Sequence, residues 1–501
     1  MNNNKQENER QAMEEEDMDE ILGVAYCVAR FPSWPEGIFL GFLHCVVEVG
    51  TIAMASRILV PLLGGGNEEK AEMIETILFV AAINTLLQTW FGTRLPVVMG
   101  PSYTFLVPAV SIAVSKRMSV FEDPHQVYTF DESHSGGTHC CIVFSNECRI
   151  FRILEDFRQI LHCPEIALPA LFILVLFQYI AQRMKSRGVN RFAIIVSIVI
   201  SWAFAEFLSA IGACKETSVE IQMTCFTNRS ALITAAPWIR VPRPFKWGSP
   251  SFNAGDIFAM VSASLVATVE STGTFIAASR LGKATPIPPS VLGRGVGWLG
   301  IGTLLDGFFG TGTGSTASVA NAGLLGLTRV GSRRVIQISA GFMLFFSILG
   351  KFGAFLASVP FPIVAAIYCI LFAFVASAGL GFLQFCNLNS YRSMFILGLS
   401  LCIGLSVPQY FNEYLLLPKH GRLHTGSTGF NNTVQVLLSS PATVAVVVAY
   451  FLDLILRRGD ASARRDSGRH WWEKFRSFNQ DTRSEEFYSL PLKLNKIFPS
   501  I

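Results

Sequence analysis

Apolar stretches of about 17–25 residues recur along this chain, each long enough to cross a hydrocarbon core as a helix. They give twelve candidate spans, near 37–63, 73–91, 95–115, 166–182, 192–211, 256–280, 295–310, 312–328, 335–357, 360–380, 394–409 and 434–456. Lipid satisfies no backbone polar group, so such a chain is expected to fold as an all-α polytopic membrane protein. Composition agrees. Apolar residues make up 51% of the 501 positions and charged residues 15%, too few ionic groups to clothe a soluble surface. A net charge of +4 is too small and too dispersed to suggest nucleic acid. The first twenty residues are acidic and polar, the opposite of a secretory leader, so the first span is expected to serve as the insertion signal.

Lys and Arg in short loops set the orientation. Arg183, Lys185, Arg187 and Arg191, then Arg280, Lys283 and Arg294, then Arg329, Arg333 and Arg334 fall on alternate loops, and an arginine-rich tail follows Leu456. Both termini are therefore expected in the cytosol. One loop opposes this: Lys215, Arg229, Arg240, Arg243 and Lys246 lie on the predicted outer face. The organisation expected is a cytosolic tail over 1–34 and a first repeat over 35–211 with an atypical polar segment at 116–165. An extracytoplasmic loop over 212–255, a second repeat over 256–456 and a cytosolic tail over 457–501 complete it.

Two spans are poor helices. Residues 93–108 carry Pro96, Gly100, Pro101 and Pro108 around Ser102 and Tyr103, and residues 306–323 are dense in Gly, Thr and Ser and end in Asn321 and Gly323. A matched pair of interrupted segments, one in each half, points to a midplane substrate site between inverted repeats; the competing reading is close packing through small residues. Glu270 favours a site. It is the only charge between Asp256 and Arg280, roughly 15 Å from the cytosolic end at about 1.5 Å per residue. Holding it there costs on the order of 3 kcal/mol, so a functional role is the default. A carboxylate at that depth accepts N–H donors from a planar ligand and can carry a coupling proton. His44 is a weaker candidate, and Glu48 and Arg57, nine residues apart in the first span, carry no assigned role. No nucleophile–base or metal-ligating constellation stands out, so no enzyme, cofactor or metal site is expected.

Several motifs resemble one family, the nucleobase–ascorbate transporters of the xanthine/uracil permease superfamily, and its plant members in particular. Asn321-Ala-Gly-Leu-Leu-Gly-Leu-Thr-Arg329 resembles the family signature, Val269-Glu-Ser-Thr-Gly273 its eighth-helix substrate motif, and Gly100-Pro-Ser-Tyr-Thr-Phe105 its third-helix strand. Leu43-His44 stands where the family usually has Gln-His, and the tail His470-Trp-Trp-Glu-Lys-Phe-Arg-Ser-Phe478 is similar to the plant pattern. The resemblance implies fourteen spans in two inverted sevens, a core domain moving against a gate domain, and cation-driven uptake of purines or pyrimidines, mostly with protons. It implies that Glu270 binds the base, that Tyr103 stacks on it beside Ser102, and that His44 supports the site. Asn321, Gly323, Thr328 and Arg329 would shape the signature helix and its cytosolic exit. The implied partners are a nucleobase, a proton and the bilayer, with a homodimer as a possible assembly and the plasma membrane as the location.

Three departures stand against the family pattern. Ala320 occupies the signature's first position, where relatives place a Glu or Gln; a methyl forfeits a directed contact of roughly 1–3 kcal/mol. Leu43 replaces the Gln. Residues 125–156, rich in His, Glu, Asp and Cys, stand where relatives carry their fourth and fifth spans, which leaves about twelve spans against fourteen. Two functions are carried forward: a proton-coupled nucleobase transporter, and a transport-inactive membrane paralogue acting at most through intact relatives.

Overall fold

The computed structural model describes residues 26, 28, 30, 32–102, 104–106, 108–109, 164–183, 189–211, 233–234, 236–247, 254–356, 361–381, 383, 388, 390–413, 428–456, 485 and 487–491. The long apolar windows become helices. These are α1 (Trp34–Leu62), α2 (Asn67–Trp90), α3 (Pro164–Arg183), α4 (Val189–Ile211), α5 (Ala254–Leu281) and α6 (Pro289–Phe309). After them come α7 (Val319–Thr328), α8 (Arg333–Ile348), α9 (Gly350–Leu356), α10 (Phe361–Leu380), α11 (Tyr391–Glu413), α12 (Thr428–Leu438) and α13 (Pro441–Ile455). Two three-residue strands, β1 (Met99–Pro101) and β2 (Ser315–Ala317), sit where the two poor helices were expected. The predicted polar segment 125–156 lies outside the described residues.

Four described helices are long and apolar enough to span a bilayer by length and composition, at Trp34–Ser56, Glu68–Trp90, Asp256–Leu281 and Tyr391–Phe411; five shorter apolar helices accompany them. The surface is the reverse of a soluble protein's. Phe172, Phe258, Leu265, Tyr450 and Phe451 are exposed, while His44, Glu48, Asn84, Asp306 and Asn321 are buried. Apolar outside and polar inside is the arrangement a lipid solvent imposes. The protein is a helical, polytopic membrane protein.

Two expected single spans are corrected. The span at 335–357 is two helices, broken at Leu349, whose φ of -92° and ψ of 78° leave the helical region. The span at 434–456 is also two, α12 and α13. Pro441 opens α13 at a position where its missing N–H costs nothing, and the Ser440 hydroxyl caps it by accepting from the Thr443 N–H at 3.4 Å.

Packing divides the helices into neighbourhoods. α8 packs against α1 and α2, α6 against α2, α7 against α10, α3 against α4 and α10, and α12 against α5. Leu43 and Val47 of α1, Ala320 and Leu324 of α7, and Ile363 and Leu371 of α10 share one buried cluster. Met99 of β1 and Ala317 of β2 belong to a second buried cluster, with Phe275 and Ala278 of α5.

The basic residues that opposed the orientation rule have local partners. Arg240 donates to Glu75 Oε2 at 3.2 Å and to the Glu72 carbonyl at 2.9 Å, and Lys246 pairs with the Glu72 carboxylate. The acids at the start of α2 thus offset this loop's charge, whereas the rule counts only Lys and Arg.

The far end of the chain docks back. Tyr488 is fully buried and Phe487 nearly so, beside Val28, Ile287 and Val291. The Tyr488 hydroxyl donates to the Thr285 carbonyl at 2.5 Å. Arg294 and Arg333 donate to the carbonyls of Tyr488 and Phe487 at 3.0 and 2.9 Å. Burial pushes the Tyr488 phenol up to about 12, so the ring stays a neutral donor at any physiological pH. Tyr488→Ala is expected to cost about 3 kcal/mol through the lost ring, and Tyr488→Phe about 1 kcal/mol through the lost hydrogen bond. Melting of the detergent-solubilised protein checks both; an unchanged transition for Tyr488→Ala would mean that the docked tail is energetically idle.

Candidate functional site

Proline and glycine stop the helices mid-bundle, and the freed backbone groups find one another. β1 and β2 pair antiparallel with Met99 opposite Ala317, Gly100 opposite Thr316 and Pro101 opposite Ser315. The ladder is extended by Ser102 N–H to the Gly314 carbonyl at 2.7 Å and Ser318 N–H to the Val98 carbonyl at 2.9 Å. Side chains complete the satisfaction. Thr85 Oγ1 accepts from Met99 N–H at 2.9 Å, and Ser271 Oγ of α5 accepts from Ala317 N–H at 3.2 Å. Two half-crossing segments thereby close on each other, with α7 starting directly after β2.

A buried polar chain ties α7 to α1. Asn321 Oδ1 lies 2.8 Å from His44 Nδ1, which fixes that ring nitrogen as the donor. Asn321 Nδ2 donates to Glu48 Oε2 at 2.7 Å and to Ser318 Oγ at 3.1 Å. These three side-chain bonds of Asn321 go to protein groups and tie α7 to α1.

Beside this chain is a cavity of about 20 Å³, lined by Glu48, Thr51, Pro101, Glu270, Thr316 to Ala320, Tyr368 and Phe372. It has room for one water molecule and no more. Glu270 and Ala320 therefore line one cavity. Tyr368 of α10 roofs it, its hydroxyl lying 2.6 Å from Thr51 Oγ1 and donating to the Val47 carbonyl at 3.0 Å. A larger cavity of about 250 Å³ opens between α3, α7 and α10, but its lining is apolar apart from Gln178 and Tyr179. It offers no carboxylate to a polar ligand.

The remaining expected residues fall elsewhere. Tyr103 lies outside the described residues. Ser102 is buried in the strand crossing, its hydroxyl bonded to Thr104. Gly323 lets α7 meet α10 backbone to backbone: a Cβ there would stand 2.1 Å from the Leu371 carbonyl oxygen. Thr328 bonds back to the Leu324 carbonyl at 2.7 Å within α7. Arg329 is exposed and caps α7 in the left-handed conformation, at a φ of 55°.

Two buried acids escaped the sequence reading as site residues. Glu48 lines the cavity. Asp306, near the end of α6, accepts from Ser315 Oγ at 2.5 Å and from Thr311 Oγ1 at 3.2 Å, and Asn84 donates to that same Ser315 hydroxyl at 2.6 Å. Asp306 thus anchors β2 from below. Both were visible by the criterion that singled out Glu270, a charge inside an apolar span.

Interrupted helices crossing at mid-bundle, with buried carboxylates beside the crossing, define a membrane permease. The family model Xan_ur_permease, described as the Permease family, matches residues 39–136 and 155–413. The chain is 54% identical to "Nucleobase-ascorbate transporter 4" of Arabidopsis thaliana over 513 residues, covering 96% of this chain and 97% of that protein. It is 52% identical to "Nucleobase-ascorbate transporter 6" of the same plant over 515 residues, with 96% of each covered. Against "Nucleobase-ascorbate transporter LPE1" of Zea mays it is 47% identical over 512 residues, covering 96% and 97%. The chain belongs to the xanthine/uracil permease family, among the plant nucleobase–ascorbate transporters. The family match breaks between residues 136 and 155, inside the segment that departs from the pattern.

Asn321→Ala would strip His44 and Glu48 of a shared partner inside the bundle. A loss of about 2 kcal/mol in stability is expected, read as a lowered melting transition of the purified protein. An unchanged transition would show that water replaces the amide without cost.

Proposed function

We propose that this chain is a secondary active transporter of nucleobases, coupled to protons, with its site at the crossing of β1 and β2. The observation that carries the reading is the joint lining of one cavity by Glu270 and by the start of α7. The first turn of a helix leaves N–H groups unpaired and carries a partial positive charge. A planar base offers what these walls require: ring N–H donors for a carboxylate and exocyclic oxygens for helix N–H groups. Glu270 also supplies a proton-binding group at the same place, which is how substrate and proton come to share one equilibrium. The relatives' names, nucleobase-ascorbate transporters, support this substrate class.

The two interrupted segments, one in each half, support an inverted-repeat architecture in which α10 and its neighbours move against the strand crossing. Cytosolic termini at the plasma membrane fit the docking of Phe487 and Tyr488 against Arg294 and Arg333, residues near the starts of α6 and α8 that the charge rule places inside. The second reading, a transport-inactive paralogue, rests on Ala320, whose methyl lines the cavity where the signature has an acid or amide.

Uptake separates the two readings. The full chain, expressed in cells lacking their own base transporters, is expected to take up labelled xanthine, uric acid or uracil faster at acidic external pH. Glu270→Gln is expected to lower that uptake about tenfold to a hundredfold, the cost of one charge-assisted hydrogen bond, at equal surface abundance. No uptake above empty cells would favour the inactive paralogue, and full activity of Glu270→Gln would remove Glu270 from the site.

A further inference from the structure

Glu48 has half a set of partners. It is fully buried on α1, and its Oε2 accepts from Asn321 Nδ2 at 2.7 Å. Its Oε1 has no hydrogen-bond partner among the described residues. That oxygen occupies the space beside Gly100, where a Cβ would stand only 1.8 Å away, next to Pro101 on the cavity wall. A buried carboxylate oxygen left bare is costly, and an ionised one is completed by a donor. No described Lys or Arg lines the cavity, so no cation of the wall pairs with Glu48, and its Oε2 is held by the Asn321 amide. Meanwhile the α7 wall of the same cavity carries the methyl of Ala320 and no hydrogen-bonding side chain at that position.

We propose that Glu48 is a second substrate-binding carboxylate, and that its Oε1 accepts a ring N–H from the base held by Glu270. This deepens the transport reading above and rests on it. With carboxylates on α1 and α5 and helix N–H groups on α7, the site selects planar oxo-bases that offer N–H donors on two edges. Xanthine and uric acid are bases of this kind. A base with a single N–H edge leaves one of the two carboxylates bare. Glu48 thereby supplies from α1 the acid that Ala320 does not supply from α7.

The test is competition of labelled xanthine uptake by the mono-N-methylxanthines, each of which lacks one ring N–H. It compares the full-length chain with Glu48→Gln, Glu48→Ala and the double variant Glu48→Ala/Ala320→Glu. In the unaltered chain, methylation at the nitrogen facing Glu48 is expected to weaken competition about tenfold. In Glu48→Ala that penalty is expected to vanish while xanthine's own affinity falls about tenfold, and the penalties at other nitrogens remain. Glu48→Gln keeps the shape but, with Asn321 taking its amide oxygen, turns an NH₂ toward the base; it is expected to lose affinity as well. The double variant is expected to regain part of it. A role confined to holding Asn321 would lower activity without changing the ranking of the analogues, so an unchanged ranking in Glu48→Gln and Glu48→Ala overturns the proposal. If the unaltered chain moves no base, the transport reading fails and this proposal falls with it. If that chain transports and only the ranking stays fixed, the assignment of Glu48 alone is lost.

Discussion

Everything at the centre of this protein depends on the backbone hydrogen bonds between β1 and β2. A helix interrupted in lipid exposes N–H and C=O groups that no solvent there can satisfy. Here two interruptions satisfy each other, Met99 to Pro101 against Ser315 to Ala317, and Thr85, Ser271, Asn84 and Asp306 hold the crossing from the surrounding helices. Because β2 ends at mid-bundle, α7 begins there, and its N-terminal peptide groups are delivered to a depth where a continuous helix would present only side chains. The site is a by-product of that satisfaction.

The membrane class and most helix positions were legible in the sequence because lipid enforces long apolar runs, and such runs are readable without tertiary knowledge. The breaks at 96–101 and 310–314 were legible through Pro and Gly. The breaks at Leu349 and Ser440 were harder: Leu349 sits in an apolar run whose composition still reads as one span, and a single Pro441 is compatible with a kink as well as a stop. Glu270 was legible as a lone charge. Glu48 was not given a role, since its significance lies in the pairing with Asn321, far away in sequence, and in the proximity of Gly100. Asp306 lay among glycines and threonines that drew attention as helix breakers rather than as hydroxyl donors to an acid. The partners of Arg240 and Lys246 were illegible for a related reason: Glu75 and Glu72 lie a long way back in the chain.

The size of the central cavity carries a further consequence. At about 20 Å³ it accepts a water and excludes a purine, so under the transport reading proposed above this arrangement is a closed one. On that reading, entry of a base would have α10 leave α1 and α7. Two attachments resist that motion: the Tyr368 hydroxyl on Thr51 and Val47, and the seating of Gly323 against the Leu371 carbonyl. The first is a pair of hydrogen bonds worth about 1 kcal/mol each; the second is shape alone. Attachments of this strength are the right size for a protein that must alternate, because a site whose states differ by a few kcal/mol can be shifted by a ligand that contacts them unequally. A base bound between α5 and α7 would meet the ring of Phe372 and the Tyr368 hydroxyl only when α10 closes. Its binding energy would then favour closure through contacts that the open state lacks, and α10 would be the element through which the site senses that it is filled.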